Sequence, residues 1–163
     1  VQGEPFLEVN PPPPHLVLPL YFRNLLSDDN RGFEIASDWR PVKDWRLQLA
    51  YSYLWSRPQD RAGSPMNQVS LLSTWEISDG LELDAWLRYT SELDSVPTLS
   101  PLGVTSVDPY FSLTLRLGWK PRSDLELALV GANLLGGPHL EFAQEAFPYP
   151  VEIERSVYGQ AKW

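Results

Sequence analysis

The chain has 163 residues, enough for one domain, and its 43% hydrophobic and 21% charged content matches an ordinary folded protein. A net charge of −8 argues against a nucleic-acid partner, because binding a polyanion needs a basic stripe and acidic residues outnumber basic ones here. The absence of cysteine excludes a disulfide framework, a cysteine-based zinc site and a thiol nucleophile. Seven Trp and seven Tyr beside sixteen Pro favour strands and turns over helices. The first residues carry neither the charged start nor the apolar run of a secretory signal. No segment is apolar for the length of a spanning helix, so a membrane role has to be carried by strands. Without a signal or an obvious folded beginning, the chain reads as a fragment or a processed product.

In chain order, the four prolines at 11–14 forbid regular pairing, and residues 1–16 read as a Pro-rich remnant of an outer loop. Residues 16–39 hold two alternating stretches separated by residues 25–31, which makes either one long strand or a hairpin. Residues 45–55, WRLQLAYSYLW, place Trp45, Leu47, Leu49, Tyr51, Tyr53 and Trp55 on one face and Arg46, Gln48, Ala50 and Ser52 on the other. That stretch reaches the roughly 9–11 residues a tilted strand needs to cross a bilayer, with aromatic residues at both ends of the apolar face. The same alternation recurs at 69–77, 81–89 and 111–119, and less cleanly at 125–135 and 153–163, where glycines interrupt it.

Connections alternate in length: 41–44, 78–80 and 121–124 are tight turns, whereas 57–66, 92–109 and 136–152 are long. Short connections inside and long ones outside are the asymmetry of outer-membrane barrels. The pattern predicts an all-β fold of about seven antiparallel transmembrane strands over residues 17–163. Seven strands in an open sheet leave two edges in lipid, so the rest of the barrel has to come from chain outside this sequence. If 16–39 is a hairpin, about eight strands result, enough for a small self-closing barrel serving as adhesin, anchor or small enzyme. A soluble β-sandwich binding module is the third reading.

At this point the residues resemble a known family. Residues 32–55, GFEIASDWRPVKDWRLQLAYSYLW, are similar in order and spacing to an inward strand, periplasmic turn and outward strand of TonB-dependent receptors. The resemblance continues through LELDAWLRY (81–89), LRLGWKPRSDLELALVGANLL (115–135), HLEF (139–142) and EIERSVYGQAKW (152–163). Asn133, Leu134 and Leu135 match the family's Asn-Leu-aromatic-or-Leu motif near the end of the penultimate strand, with Gly136 where relatives usually have Asp. Trp163 fits the aromatic residue that closes the assembly signal of the last strand, although relatives commonly extend a residue or two further to Phe.

The resemblance implies the C-terminal part of a barrel of about 22 strands in the bacterial outer membrane. An N-terminal plug and a TonB-contacting segment, both absent from this chain, would complete an importer of iron-siderophore complexes, cobalamin or related nutrients. Implied partners are outer-membrane lipid, the barrel assembly machinery, the remaining barrel and plug, and TonB through the missing N-terminal part. No cofactor, metal or covalent chemistry is implied.

Among candidate sites, His139, Phe142, Phe147 and Tyr149 lie in the long connection 136–152, where aromatic residues of an outer loop can contact a ligand; loop packing is the plainer reading. Trp39, Trp45, Trp55, Trp75, Trp119 and Trp163 suit a lipid-facing aromatic girdle better than a sandwich core. Glu82 and Asp84 share a strand face as a catalytic carboxylate pair would. A polar lumen row compensated by Arg88 and neighbouring strands explains them better. His15 and His139, the only histidines, lack a spaced second ligand for zinc. No phosphate loop, HExxH pattern or nucleophile elbow is present, and nothing calls for an enzyme.

Overall fold

The computed structural model describes residues 3–19, 21, 29–56, 64–94, 106–142 and 151–163. The described residues form strands without a helix: β1 (Phe6–Glu8), β2 (His15–Val17), β3 (Arg31–Val42), β4 (Trp45–Trp55), β5 (Asn67–Ser78), β6 (Leu81–Thr90), β7 (Tyr110–Arg122), β8 (Leu125–Ala132) and β9 (Ser156–Lys162). β3 to β9 make one antiparallel sheet in sequence order, and β3 and β9 remain as edges. The barrel is therefore not closed within this chain. β3 to β7 are 10 to 13 residues long, which covers the roughly 9–11 residues of a tilted bilayer crossing.

Register turns the period-two alternation of each strand into two continuous faces. One row runs Trp45, Trp75, Leu83, Leu117, Leu129 and Gly159 from β4 to β9. The neighbouring row runs Arg46, Thr74, Asp84, Arg116, Val130 and Tyr158, so the second face is largely polar. Nothing among the described residues covers the apolar face. Trp39, Trp75, Trp119 and Leu129 are about half exposed there, and the only buried hydrophobic side chains among the described residues are Leu93, Val107 and Val130. A sandwich needs a second sheet on that face to remove its apolar surface from water. None is packed there among the described residues.

The three tight hairpins are built to one plan. Trp39 pairs with Leu47, Trp75 with Leu83 and Trp119 with Leu127; nearer the turn, Val42 pairs with Trp45, Ser78 with Leu81 and Arg122 with Leu125. Between those pairs each first strand carries one residue more than its partner, a β-bulge, before a two-residue turn. Pro41 and Pro121 fall within two of the bulges, where a missing N–H costs no ladder bond. The bulges also join neighbouring hairpins along the rim: the Glu76 N–H donates to the Asp44 carbonyl at 2.8 Å, and the Lys120 N–H donates to the Gly80 carbonyl at 2.7 Å. Gly80 holds φ at +75°, a conformation that disfavours a side chain.

Three expectations change in detail. The alternating stretch beginning at residue 16 belongs to β2, which pairs with β1 rather than with β3, so residues 16–39 form neither a single strand nor, among the described residues, a hairpin of the main sheet. β8 stops at Ala132 because Asn133 turns to φ +52°, out of the strand region. The last strand begins at Ser156 rather than 153, since Ile153 makes an isolated bridge to His139 instead.

Candidate functional site

The polar face forms the wall of a recess of about 680 Å³ at the end of the sheet that bears the long connections. Strand side chains supply most of the lining, among them Glu34, Ser70, Trp86, Arg88 and Tyr110, and the segment after β8 closes over it with Glu141 and Phe142. Trp86 is fixed by an indole N–H donated to Ser70 Oγ at 2.8 Å. The Arg88 guanidinium lies over the Trp86 ring, 4.7 Å from its centroid, and donates from Nη2 to Ser112 Oγ at 3.2 Å. Stacking on a fixed ring holds the cation in place while leaving most of its donors uncommitted.

The covering segment is tied down at several points. His139 exchanges backbone hydrogen bonds with Ile153, and its ring stacks on Tyr110 at 4.4 Å between centroids. Leu140 packs against the buried Leu93–Val107 bridge. Glu141 Oε1 stands 3.5 Å from His139 Nε2 and 4.0 Å from Arg88 Nη2. Upstream, Asn133 is 3% exposed and donates from Nδ2 to the Ile153 carbonyl at 3.0 Å. The Leu134 N–H donates to the Leu113 carbonyl at 2.9 Å, and Arg155 donates to the Gly136 carbonyl.

A second polar constellation lies toward the tight turns. Arg116 of β7 donates from Nη1 to Glu82 at 2.9 Å and to Asp84 at 3.0 Å on β6, and from Nη2 to Glu126 on β8. Glu126 is also 3.6 Å from Lys120 Nζ. Glu82 and Asp84 are thus counter-ions of one arginine, and neither is set apart as a free acid or base. The compensation comes from a neighbouring strand, as expected, through Arg116; Arg88, expected to share in it, lies at the recess instead. On β3 and β4 the same device recurs in the Asp38–Arg46 pair.

The apolar face carries aromatic residues at both ends. Trp39, Trp45, Trp75 and Trp119 lie near the tight turns and Trp55 at the opposite end of β4; Trp163 follows β9 and is 93% exposed. The Trp45 indole N–H finds Ser73 Oγ at 2.9 Å on the same face, so its donor is satisfied within the sheet. At the long-connection end, Tyr51, Tyr89 and Phe111 share one ladder row, Phe33 packs on Tyr51 and Tyr53, and the Tyr51 hydroxyl donates to Asn67 at 2.8 Å.

Of the loop residues singled out from the sequence, Phe142 lines the recess and His139 lies beside it, stacked on the lining residue Tyr110, whereas Phe147 and Tyr149 lie outside the described residues. Asn133 and Leu134 join β8 to the covering segment, and Leu135 is 41% exposed. His15 sits in the β1–β2 ribbon, 3.1 Å from Glu8. Sequence reasoning misses Trp86, Tyr110 and Glu141, and with them the hub role of Arg116. The available signal is a large or charged residue on the polar face of a strand that otherwise carries Ser and Thr there.

A family model described as the β-barrel of TonB-dependent-receptor-like proteins matches residues 5–134. No curated protein sequence is matched. Among solved structures, the ferric-catecholate import receptor Fiu from E. coli K12 is similar in its open form, with a TM-score of 0.59 and 15% identity over 81% of this chain and 20% of that one. Its closed form gives a TM-score of 0.61 and 15% identity over 82% and 21%. At this identity the likeness concerns the fold alone. The chain spans about a fifth of the length of these receptors.

Proposed function

This chain belongs to the TonB-dependent-receptor-like β-barrel family, and on that premise we propose that it forms part of the wall of a bacterial outer-membrane receptor importing a scarce nutrient. The observation that carries the reading is the seven-stranded sheet with one uncovered apolar face, tryptophans near the tight turns and a polar recess on the other face. Iron-siderophore complexes are the leading cargo, in keeping with the ferric-catecholate receptor whose fold it resembles; cobalamin is the second.

In this reading the tight turns face the periplasm and the long connections face outward, with residues 1–16 part of an outer connection. The tryptophans named above meet lipid headgroups, and Trp163 closes the signal read by the assembly machinery. The edges β3 and β9 pair with further strands of the same receptor, and plug and TonB contact are supplied by chain N-terminal to this one. His139 and Phe142, with the recess beneath them, belong to the ligand path; Phe147 and Tyr149 extend it. The family transports rather than catalyses, which agrees with carboxylates committed to Arg116.

The test is a blot of fractionated membranes with an antibody to residues 136–152, comparing heated and unheated samples. The expected result is an outer-membrane band far above 18.6 kDa that shifts on heating. A heat-shifting band near 18.6 kDa points to a small independent barrel, and a soluble band overturns both.

A further inference from the structure

Arg88 is incompletely satisfied for a wall-mounted cation. Among the described residues it donates one hydrogen bond, to the neutral Ser112 hydroxyl, and its Nε is closed to solvent without a partner. The nearest carboxylate among the described residues, Glu141, stops at 4.0 Å, beyond hydrogen-bond length. Glu141 is no better held from the other side. The Nδ1 of His139 is 3.3 Å from the Gly137 carbonyl, and its Nε2, 3.5 Å from Glu141, makes no hydrogen bond. Glu141 is therefore carried into the recess by a segment fastened through His139 and Leu140, and rests beside a cation that it does not fully engage. The other charged group lining the recess is Glu34, on β3.

We propose that Glu141 is a built-in counter-ion for Arg88, occupying the position that an anionic oxygen of the imported ligand takes, so that ligand binding displaces it and frees the chain at Glu141 and Phe142, beyond the fastening at His139 and Leu140. The inference rests on the receptor reading and adds a control to it. Arg88 is the fixed half, held by Trp86, Ser112 and the strand. Glu141 is the movable half, on a connection. A ligand carboxylate or catecholate within 3 Å of the guanidinium gains a charge-assisted, bidentate contact that Glu141 at 4.0 Å forgoes. The cost of displacing Glu141 lowers affinity in proportion to the fraction of molecules in which the recess is open.

The test uses the whole receptor in outer membranes, with binding of the ferric complex of 2,3-dihydroxybenzoate measured on unlabelled protein and a nitroxide on Phe142→Cys, in separate samples, reporting segment mobility. Glu141→Gln and Arg88→Gln both free the label without ligand, yet act oppositely on binding: E141Q tightens it about tenfold and R88Q abolishes it. Citrate frees the label in the unaltered protein where sodium chloride at equal ionic strength does not. Heat-shifted mobility of each variant confirms that its barrel is built. A label equally immobile in E141Q, or weaker binding in that variant, overturns the proposal. If the unaltered receptor ignores the ferric probe while both variants and citrate still free the label, the nutrient reading fails and the counter-ion role stands. Intact uptake with an indifferent label removes the counter-ion role alone.

Discussion

Arg116 reaches its carboxylates by lying across Gly118, where an added Cβ would stand 2.7 Å from Nη1 and 2.9 Å from Nη2. Glycine two residues on, on the same face, is thus the space in which the guanidinium joins β6 to β8. Gly118→Val should lift the arginine away and leave three carboxylates facing one another, as Arg116→Gln does directly. Because the cluster is only part-buried, each change should cost about 1 kcal/mol, and the two together no more than either alone; urea titration of the refolded barrel checks the non-additivity. Asn133 offers a second test. Its φ of +52° suits Asn or Gly, and its side chain ties Ile153 to the sheet. Asn133→Gly should lose only the hydrogen bond, about 1 kcal/mol, whereas Asn133→Ala should lose about 1–2 kcal/mol more from the backbone. Equal losses would remove the conformational part of the argument.

The three hairpins make the bulge a transferable element. Pro41 and Pro121 occupy the third position of W-x-P, and Ile77 holds that position in the middle hairpin. Ile77→Pro should therefore change stability by less than about 0.5 kcal/mol. Glu76→Pro, one residue earlier, removes the N–H given to Asp44 and should cost about 3 kcal/mol. Thermal loss of the heat-resistant band ranks the two; the reverse order would mean that the bulge is not where the backbone tolerates proline.

The strands themselves were readable because an uncovered apolar face must alternate strictly, as Trp45, Leu47, Leu49 and Tyr51 do. The bulges were not, because they interrupt that alternation at Trp39-Arg40-Pro41-Val42 without changing the kind of residue present. Residues 16 and 17 alternate like strand, but alternation does not name a partner, and theirs is β1. Most of the recess was hidden for a related reason. Trp86, Arg88, Tyr110 and Glu141 meet only through the register of β6 with β7 and a covering segment whose path the sequence does not fix. His139 and Phe142 could be singled out because aromatic residues between prolines mark a loop built to present them.

Across the whole sheet the tryptophans trace a line that is not a ladder row. Relative to the row through Trp75, Leu117 and Gly159, Trp39 lies two residues toward the long connections on β3, Trp119 two residues toward the tight turns on β7, and Trp163 four residues that way after β9. The line thus descends about one residue per strand. With a rise of about 3.3 Å per residue and about 4.8 Å between strands, that slope is a tilt of about 35°, within the roughly 35–45° of membrane barrels. If the line marks one membrane interface, residues of a single ladder row lie at different depths. Leu47, Leu115 and Val157 share the row that passes through Ser73, Ala85 and Gly131. Counted along the strands from that line, Leu47 lies about one residue in, Leu115 about four and Val157 about six, so in a crossing of roughly 9–11 residues Leu47 should sit near the tight-turn interface and Leu115 and Val157 on either side of the midplane. Nitroxides at the three positions should therefore show low oxygen accessibility at Leu47 and high, similar accessibility at Leu115 and Val157. Leu115→Arg should cost about 2–4 kcal/mol while Leu47→Arg costs about 1 kcal/mol or less. Equal depths at all three would mean that rows rather than tryptophans lie parallel to the membrane, and the tilt would have to be abandoned.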